Sequence, residues 1–287
     1  MRIESHQVSL FYQEGTPFES KAVSGVSLAI EPGERIGIAG PVGSGKSTLL
    51  ALLAGIMAPT SGDVTHDGRS LGRRSPPKPG SVGFAFQSPE NCLFEKTVYD
   101  DVAFAPRALG LEDEEVRSLT NKALAGVGLD VERLGSRSPF SLSLGEQRRV
   151  ALAGLLAMRP RVLLLDEPTA HLDPVSRHDI IERLVRLNDD TGATVVMVGH
   201  DMDEMAHFSK RLVIIDGGSV VADDEAGRLL SDRKLLERYS LKLPGTVELC
   251  RLLGEATGGS VAPVLDESGA VELLLKMAGG AEGGTCS

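Results

Sequence analysis

The sequence predicts an α/β fold: a mixed sheet covered by helices, with an antiparallel β subdomain before it, an inserted α-helical subdomain and a small C-terminal extension. Three observations predict it. The runs VLLLD and TVVMV are apolar on both faces, as strands of a parallel sheet covered on each side should be. A glycine-rich loop, GPVGSGKST, stands between a strand run and a helix-favouring stretch. Between Thr97 and Met158 the signals are helical, with no strong strand.

Taken in order, VSLFY, VSLAI, the turn EPGE and RIGIAG read as an antiparallel start feeding a buried strand. KSTLLALLAGI then reads as a helix that closes at Gly55, with Pro59 beyond it. Strand runs return at DVTHDG and SVGFAF, separated by GRRSPPKPG, whose prolines and glycines oppose regular structure. The helical subdomain should span about residues 88–160. In LSLGEQRRVALAGLLAM, Ser143 and Glu146 form an S-x-x-E capping box, so a helix should start there. Arg148 and Arg149 on it read as solvated helix surface. RVLLLD, a helix from Pro174 to Asn188, ATVVMVGH, a short helix, RLVIID, a GG turn and SVVAD complete the alternation. Residues 1–230 are thus expected to form one unit and 231–287 an extension, ending in a GGAEGGTCS tail expected to be disordered.

Composition narrows the function. Forty acidic against 30 basic residues give a net charge of −10, which argues against a broad nucleic-acid surface. The longest apolar run, Leu49 to Ala58, falls short of the ~18 residues of a membrane span. MRIESHQVSLF lacks the features of a secretory signal, so a cytoplasmic location is expected. Cys92, Cys250 and Cys286 have neither disulfide-framework nor metal-ligand spacing. With 4% aromatics and no Trp, the core must be built mainly from aliphatics and alanine.

The chemistry starts at Gly40–Thr48, which fits G-x-x-x-x-G-K-[ST] in the strand–loop–helix context that motif requires and gives the core its P-loop NTPase character. Gly40, Gly43 and Gly45 let backbone N–H groups, with those of Ser44 and Thr48, close around a phosphate chain at a helix N-terminus. Lys46 can reach the β- and γ-phosphates, and the Ser47 hydroxyl can ligate Mg²⁺. At the end of RVLLLDEP, Asp166 can hold Mg²⁺, while Glu167 can take a proton from, or orient, the attacking water, a role worth ~10²–10⁴ in rate. His200 ends another buried strand, where an imidazole could touch a γ-phosphate. Gln87 closes SVGFAFQ and can ligate Mg²⁺ or hold a water. Standing alone, a strand-end histidine or glutamine is more often structural.

The ordered set GPVGSGKST, FQSPE, LSLGEQRRVALAGLLAMRP, LLLDEPTAHLD and VGHDMDE resembles the nucleotide-binding subunits of ATP-binding-cassette transporters over roughly residues 2 to 230. The resemblance implies a head-to-tail dimer with ATP at the interface. Gln87 is then the lid-loop glutamine and His200 the switch histidine. Ser143 and Gly145 contact the partner's γ-phosphate, and Asp173 lies in the loop crossing the interface. Tyr12 corresponds to the aromatic residue that stacks on adenine, with Phe11 the rival. The sequence departs from the usual LSGGQ at Leu144 and Glu146. Leu144 is expected to turn away from phosphate, against apolar neighbours or the opposite subunit. The Ser143 hydroxyl, with one donor and two acceptor positions, can cap the helix and donate to phosphate together.

FQSPENCLFEKTVYDDVAFAPRALG, GTPFESKA and LKLPGTVELCRLL are similar to the ATPases of energy-coupling-factor transporters, apart from Cys92 and Ala105. That resemblance implies an ATP-hydrolysing, Mg²⁺-dependent motor on the inner face of the cell membrane, importing a vitamin or transition-metal ion. Its partners would be a second cassette, identical or related, a membrane-embedded coupling subunit and a substrate-binding membrane subunit, with no nucleic acid. The segment Ser88–Leu109 would receive a helix of the membrane partner, with Pro89, Leu93 and Phe94 supplying apolar contact and Glu90 and Glu95 charge. The alternative is a soluble cassette ATPase of translation or DNA repair.

Overall fold

The computed structural model describes residues 1–72, 75–257, 259 and 261–281. Its strands are β1 (Ile3–Tyr12), β2 (Ser20–Ile30), β3 (Arg35–Ala39), β4 (Ser61–His66), β5 (Arg69–Ser70), β6 (Val82–Ala85), β7 (Val162–Asp166), β8 (Thr194–Val198), β9 (Arg211–Asp216) and β10 (Ser219–Glu225). They form an antiparallel sheet, β2-β1-β4-β5, and a six-stranded sheet, β10-β9-β3-β8-β7-β6, parallel except for β10.

The helices explain how the sheets are covered. α1 (Lys46–Leu53) buries Leu49, Leu50, Leu52 and Leu53, since a helix apolar all round must be enclosed. α2 (Val98–Ala108), α3 (Asp113–Gly126), α4 (Val131–Leu134) and α5 (Leu144–Ala157) follow one another with no strand among the described residues between β6 and β7. α6 (Pro174–Thr191) and α7 (Met202–Phe208) flank β8 in the chain. α8 (Ala226–Ser231), α9 (Arg233–Arg238), α10 (Gly245–Thr257) and α11 (Glu267–Ala281) close it.

Strand periodicity sorts the core into two layers. Ile36, Ile38, Val162, Leu164, Val196 and Val198 pack with α1 and the antiparallel sheet. Their alternates Leu163, Leu165, Val195 and Met197 pack on the opposite face with the helices. Truncating one of these leucines to alanine should cost about 2–5 kcal/mol.

α6 runs past the expected Asn188 to Thr191. It stops where Gly192 takes φ +66, so the residue able to adopt a left-handed cap sets the end. Leu236 and Leu241 lie in the same core as β7 and α5, so the packed body continues beyond α8. The expected disordered tail begins in the last turn of α11, and its residues 282–287, Cys286 included, lie outside the described residues, as do 73 and 74 of the Pro/Gly loop. Among the described residues no helix is long and apolar enough to cross a membrane.

Candidate active site

Four neighbouring parallel strands, β3-β8-β7-β6, each deliver polar groups at their carboxyl ends, where open α/β sheets hold ligands. β3 runs into Gly40, β8 leads to His200, β7 to Asp166 and Glu167, and β6 to Gln87. The tight wrap of the first loop requires glycine. Gly40 has φ +151 and Gly45 φ +98; a Cβ would drive the first into the Ile215 carbonyl oxygen and the second into the Ala22 carbonyl oxygen.

Within that loop the buried Lys46 donates from Nζ to the carbonyl oxygens of Gly40 (2.9 Å) and Pro41 (2.7 Å). An ammonium has three protons, so one stays free for an anion. Burial lowers the Lys46 pKa, against the opposing pull of Glu167 and Asp166. Ser44 Oγ is buried without a hydrogen-bond partner among the described residues. An unmatched hydroxyl in a glycine-rich loop that opens a helix fits a phosphate oxygen.

Ser47 Oγ donates to Asp166 Oδ1 at 3.0 Å. Burial pushes the Asp166 carboxyl up; the Ser47 hydroxyl counters this, Glu167 adds to it and Lys46 opposes it. Glu167 then takes φ +46, a left-handed conformation costing roughly 1–2 kcal/mol for a residue with a side chain. Its N–H is fixed on the Val198 carbonyl at 3.0 Å. Its Oε2 lies 3.4 Å from Gln87 Nε2 and 3.6 Å from His200 Nδ1, the second too far for a direct hydrogen bond. Two side chains, from the ends of β6 and β8, therefore meet around the carboxylate that follows β7. Tyr12, at the end of β1, is exposed and shares a hydrogen bond with Thr48 Oγ1 at 3.1 Å, which sets its ring beside the start of α1; Phe11 is half-buried.

Ser143, Gly145 and Asp173 gather in a second group, at the N-termini of α5 and α6. Asp173 accepts from the Ser176 hydroxyl (2.6 Å) and the N–H groups of Val175 and Ser176, which hold its carboxyl below the ordinary range. Gly145 faces Ser176 and Leu172. The expected capping box is present: Glu146 N–H donates to Ser143 Oγ. The hydroxyl proton, however, is not left for phosphate. Ser143 Oγ donates to Glu146 Oε2 at 2.9 Å, and the Ser143 N–H reaches the same oxygen at 3.0 Å. Leu144 remains 41% exposed, so packing within its own chain leaves much of its side chain uncovered.

Two expectations need correction. Arg148 is not solvated surface: it is 2% exposed, bonded to Glu90 Oε2 and the Ala170 carbonyl, while Arg149 is half-buried against Asp179. On α5, position 148 shares a face with Leu152 and Leu155, a spacing that could have revealed its burial. Within Ser88–Leu109, Pro89 and Leu93 are buried in the chain's own packing, whereas Phe94 is 58% exposed and stacks edge-on against Phe104 at 4.8 Å. A cavity of about 150 Å³ there is lined by Phe86, Phe94, Ala105, Ala151 and Leu155 among others. Sequence reasoning missed the network behind the site. Thr169 donates to Glu204 Oε2 at 2.6 Å, and Arg177 holds the Leu172 carbonyl at 2.8 Å while facing Asp201 and Glu204. Burial raises the Glu204 carboxyl.

Residues 23–170 match the family model described as ABC transporter. The chain is 37% identical to the energy-coupling factor transporter ATP-binding protein EcfA2 of Clostridium perfringens, over 96% of this chain and 98% of that protein. It is 46% identical to EcfA2 of Symbiobacterium thermophilum, over 92% and 91%. Among solved structures, cbiO1 of Clostridium perfringens, part of the ABC transporter complex cbiONQ, superimposes with a TM-score of 0.73 at 32% identity, over 87% and 98%. The dimeric ATP-binding cassette MJ0796, in a post-hydrolysis state with ADP and Pi, gives 0.71 at 31%, over 78% and 98%. With its glycine-rich loop, strand-end carboxylates and these relatives, the chain belongs to the ABC transporter family, as an ATP-hydrolysing cassette of the energy-coupling factor kind.

Proposed function

We propose that this chain is the motor subunit of an importer for a vitamin or a transition-metal ion, working in pairs on the inner face of the cell membrane. The observation that carries the proposal is the meeting of Gln87, Glu167 and His200 beside the Ser47–Asp166 bond, at the mouth of the phosphate loop. Gly40, Gly43, Ser44, Gly45, Lys46 and Thr48 hold the phosphates of ATP, and Tyr12 stacks on the adenine. Ser47, Asp166 and Gln87 present the hard oxygen donors that suit Mg²⁺, which when bound neutralises charge on the phosphates. Glu167 accepts the proton of the attacking water, and His200 and Gln87 hold that carboxylate and the water in place.

Ser143, Gly145 and Asp173 serve the partner cassette's nucleotide, so two chains complete two sites. The membrane coupling subunit docks at the Ser88–Leu109 segment, where Phe94 is the exposed apolar contact. Relatives carrying energy-coupling factor names along most of the chain favour this over a soluble cassette of translation or DNA repair. The test is to solubilise native membranes, capture the chain and identify what accompanies it. A coupling subunit with a small substrate-binding membrane protein is expected; ribosomal or DNA-repair partners would overturn the proposal.

A further inference from the structure

The loop from Glu167 to Asp173 joins the proposed proton acceptor to the cap of α6, and its middle is gripped by a buried arginine from α5. Arg148, 2% exposed, lines a small cavity together with Pro89, Leu152, Leu165, Pro168 and Ile180. Its Nη1 donates to the Ala170 carbonyl oxygen, and its Nε donates to Glu90 Oε2 at 3.2 Å. Glu90, itself only 14% exposed at its side chain, sits in the 3₁₀ turn Pro89–Cys92 that follows Gln87. One guanidinium thereby joins three segments: the stretch after Gln87, the helix that starts beside Ser143, and the loop that starts at Glu167.

Stability alone is a weak reason for such a pair, because apolar residues of similar volume often replace a buried ion pair without loss. Geometry is a stronger one. The planar fork of arginine holds a carboxylate and a carbonyl at a fixed angle, which the single ammonium of lysine cannot do. In apolar surroundings those bonds are stiff, so a shift of Glu90 is passed on to Ala170. Arg177 holds the far end of the loop through the Leu172 carbonyl but is more exposed, which leaves Arg148 as the rigid member.

We propose that Arg148 is a positioning residue for hydrolysis, a strut that sets the loop Glu167–Asp173 against the Gln87–Glu90 segment. This rests on the reading of Glu167 as proton acceptor, and the experiment separates the two. Arg148→Lys, Arg148→Met and Glu90→Gln are compared with Glu167→Gln in the full chain. The readouts are kcat and KM for ATP, binding of a fluorescent ATP analogue, thermal unfolding, and amide hydrogen exchange at Thr169–Leu172. In Arg148→Lys, analogue binding, KM and unfolding should stay at wild-type values. Its kcat should fall about 10- to 100-fold, the range expected of a misplacement near 1 Å, and exchange in the loop should rise. Glu90→Gln should move both readouts the same way by less, and a folded Arg148→Met at least as far as the lysine variant. Wild-type kcat and exchange in Arg148→Lys would overturn the strut. So would a loss of kcat matched by equal losses of binding and unfolding temperature with exchange unchanged, the pattern of general damage. Full hydrolysis by Glu167→Gln would remove the proton-acceptor reading alone, leaving the strut to be judged on loop exchange.

Discussion

The Ser47 hydroxyl donates to the Asp166 carboxylate across 3.0 Å, tying the first turn of α1 to the end of β7. Both groups are oxygen donors, and both stand next to Lys46, whose two loop bonds fix its free proton in place. Neither strand end nor loop alone makes a metal-and-phosphate site. Their meeting does.

Asp166→Asn preserves the size of the side chain and its ability to accept from Ser47 but removes the charge. Hydrolysis should fall by at least about 10²-fold, the scale set by losing one preorganised charge-stabilising group. Binding of nucleotide in the absence of Mg²⁺ should change little. Phosphate release followed across a Mg²⁺ titration checks this; wild-type turnover at every Mg²⁺ concentration would show that Asp166 does not hold the metal.

Glu146 occupies the Ser143 hydroxyl and N–H, and it does so with a negative charge where a partner's phosphate should dock. The Ser143 N–H, its hydroxyl and the nearby arginines Arg149 and Arg133 all hold that carboxyl below the ordinary range, so it is charged at neutral pH. Glu146→Gln keeps the cap and removes the charge. ATP-driven association of two cassettes should tighten by about fivefold for each of the two sites, corresponding to the ~1 kcal/mol between one pair of unit charges 4 Å apart in water. Sedimentation of the variant over a concentration series with Mg-ATP measures it, and unchanged or weaker association would show that the carboxylate does not compete.

Asp179 links α5 to α6 through Arg149 and is also held by Arg183. Burial alone would raise its pKa, but the Arg183 hydrogen bond and the charges of Arg183 and Arg149 bring it below the ordinary 3.8. The folded state therefore favours the ionised form. Its contribution to stability is complete above pH 3.8 and disappears as pH falls through the lower, folded-state value. Asp179→Asn should be less stable than wild type at neutral pH by about 1 kcal/mol, with the two converging in acid. Urea unfolding at a series of pH values tests the sign, and a constant difference down through acid would rule out the linkage.

What could be read from the sequence was what is local. VLLLD and TVVMV announced a two-faced strand because every position is apolar, and both lie side by side in the sheet. Ser143 and Glu146 announced a helix start because a capping box needs only four residues. Arg148 was misread because its burial depends on Glu90, 58 residues away, and on a carbonyl that no side-chain pattern encodes. Pro89 and Leu93, expected beside Phe94 to face a partner, are covered for a similar reason: which apolar residue is buried is decided by the packing of α5 against the turn after Gln87. The left-handed Glu167 was equally out of reach, since only the anchoring of its N–H on the carbonyl of Val198, 31 residues later in the chain, fixes that turn.

The most direct measurement is made on Glu167→Gln, which keeps the contacts to Gln87 and His200 within reach but cannot accept a proton at neutral pH. Purified variant and wild type are incubated with Mg-ATP, and bound nucleotide, phosphate release and mass by light scattering are followed together. The variant should bind ATP, release phosphate at least about 10²-fold more slowly, and persist as a two-cassette complex while wild type returns to free subunits. Phosphate release at the wild-type rate, or a variant that binds ATP and stays monomeric, would contradict the assignment of Glu167 as the group that takes the water's proton.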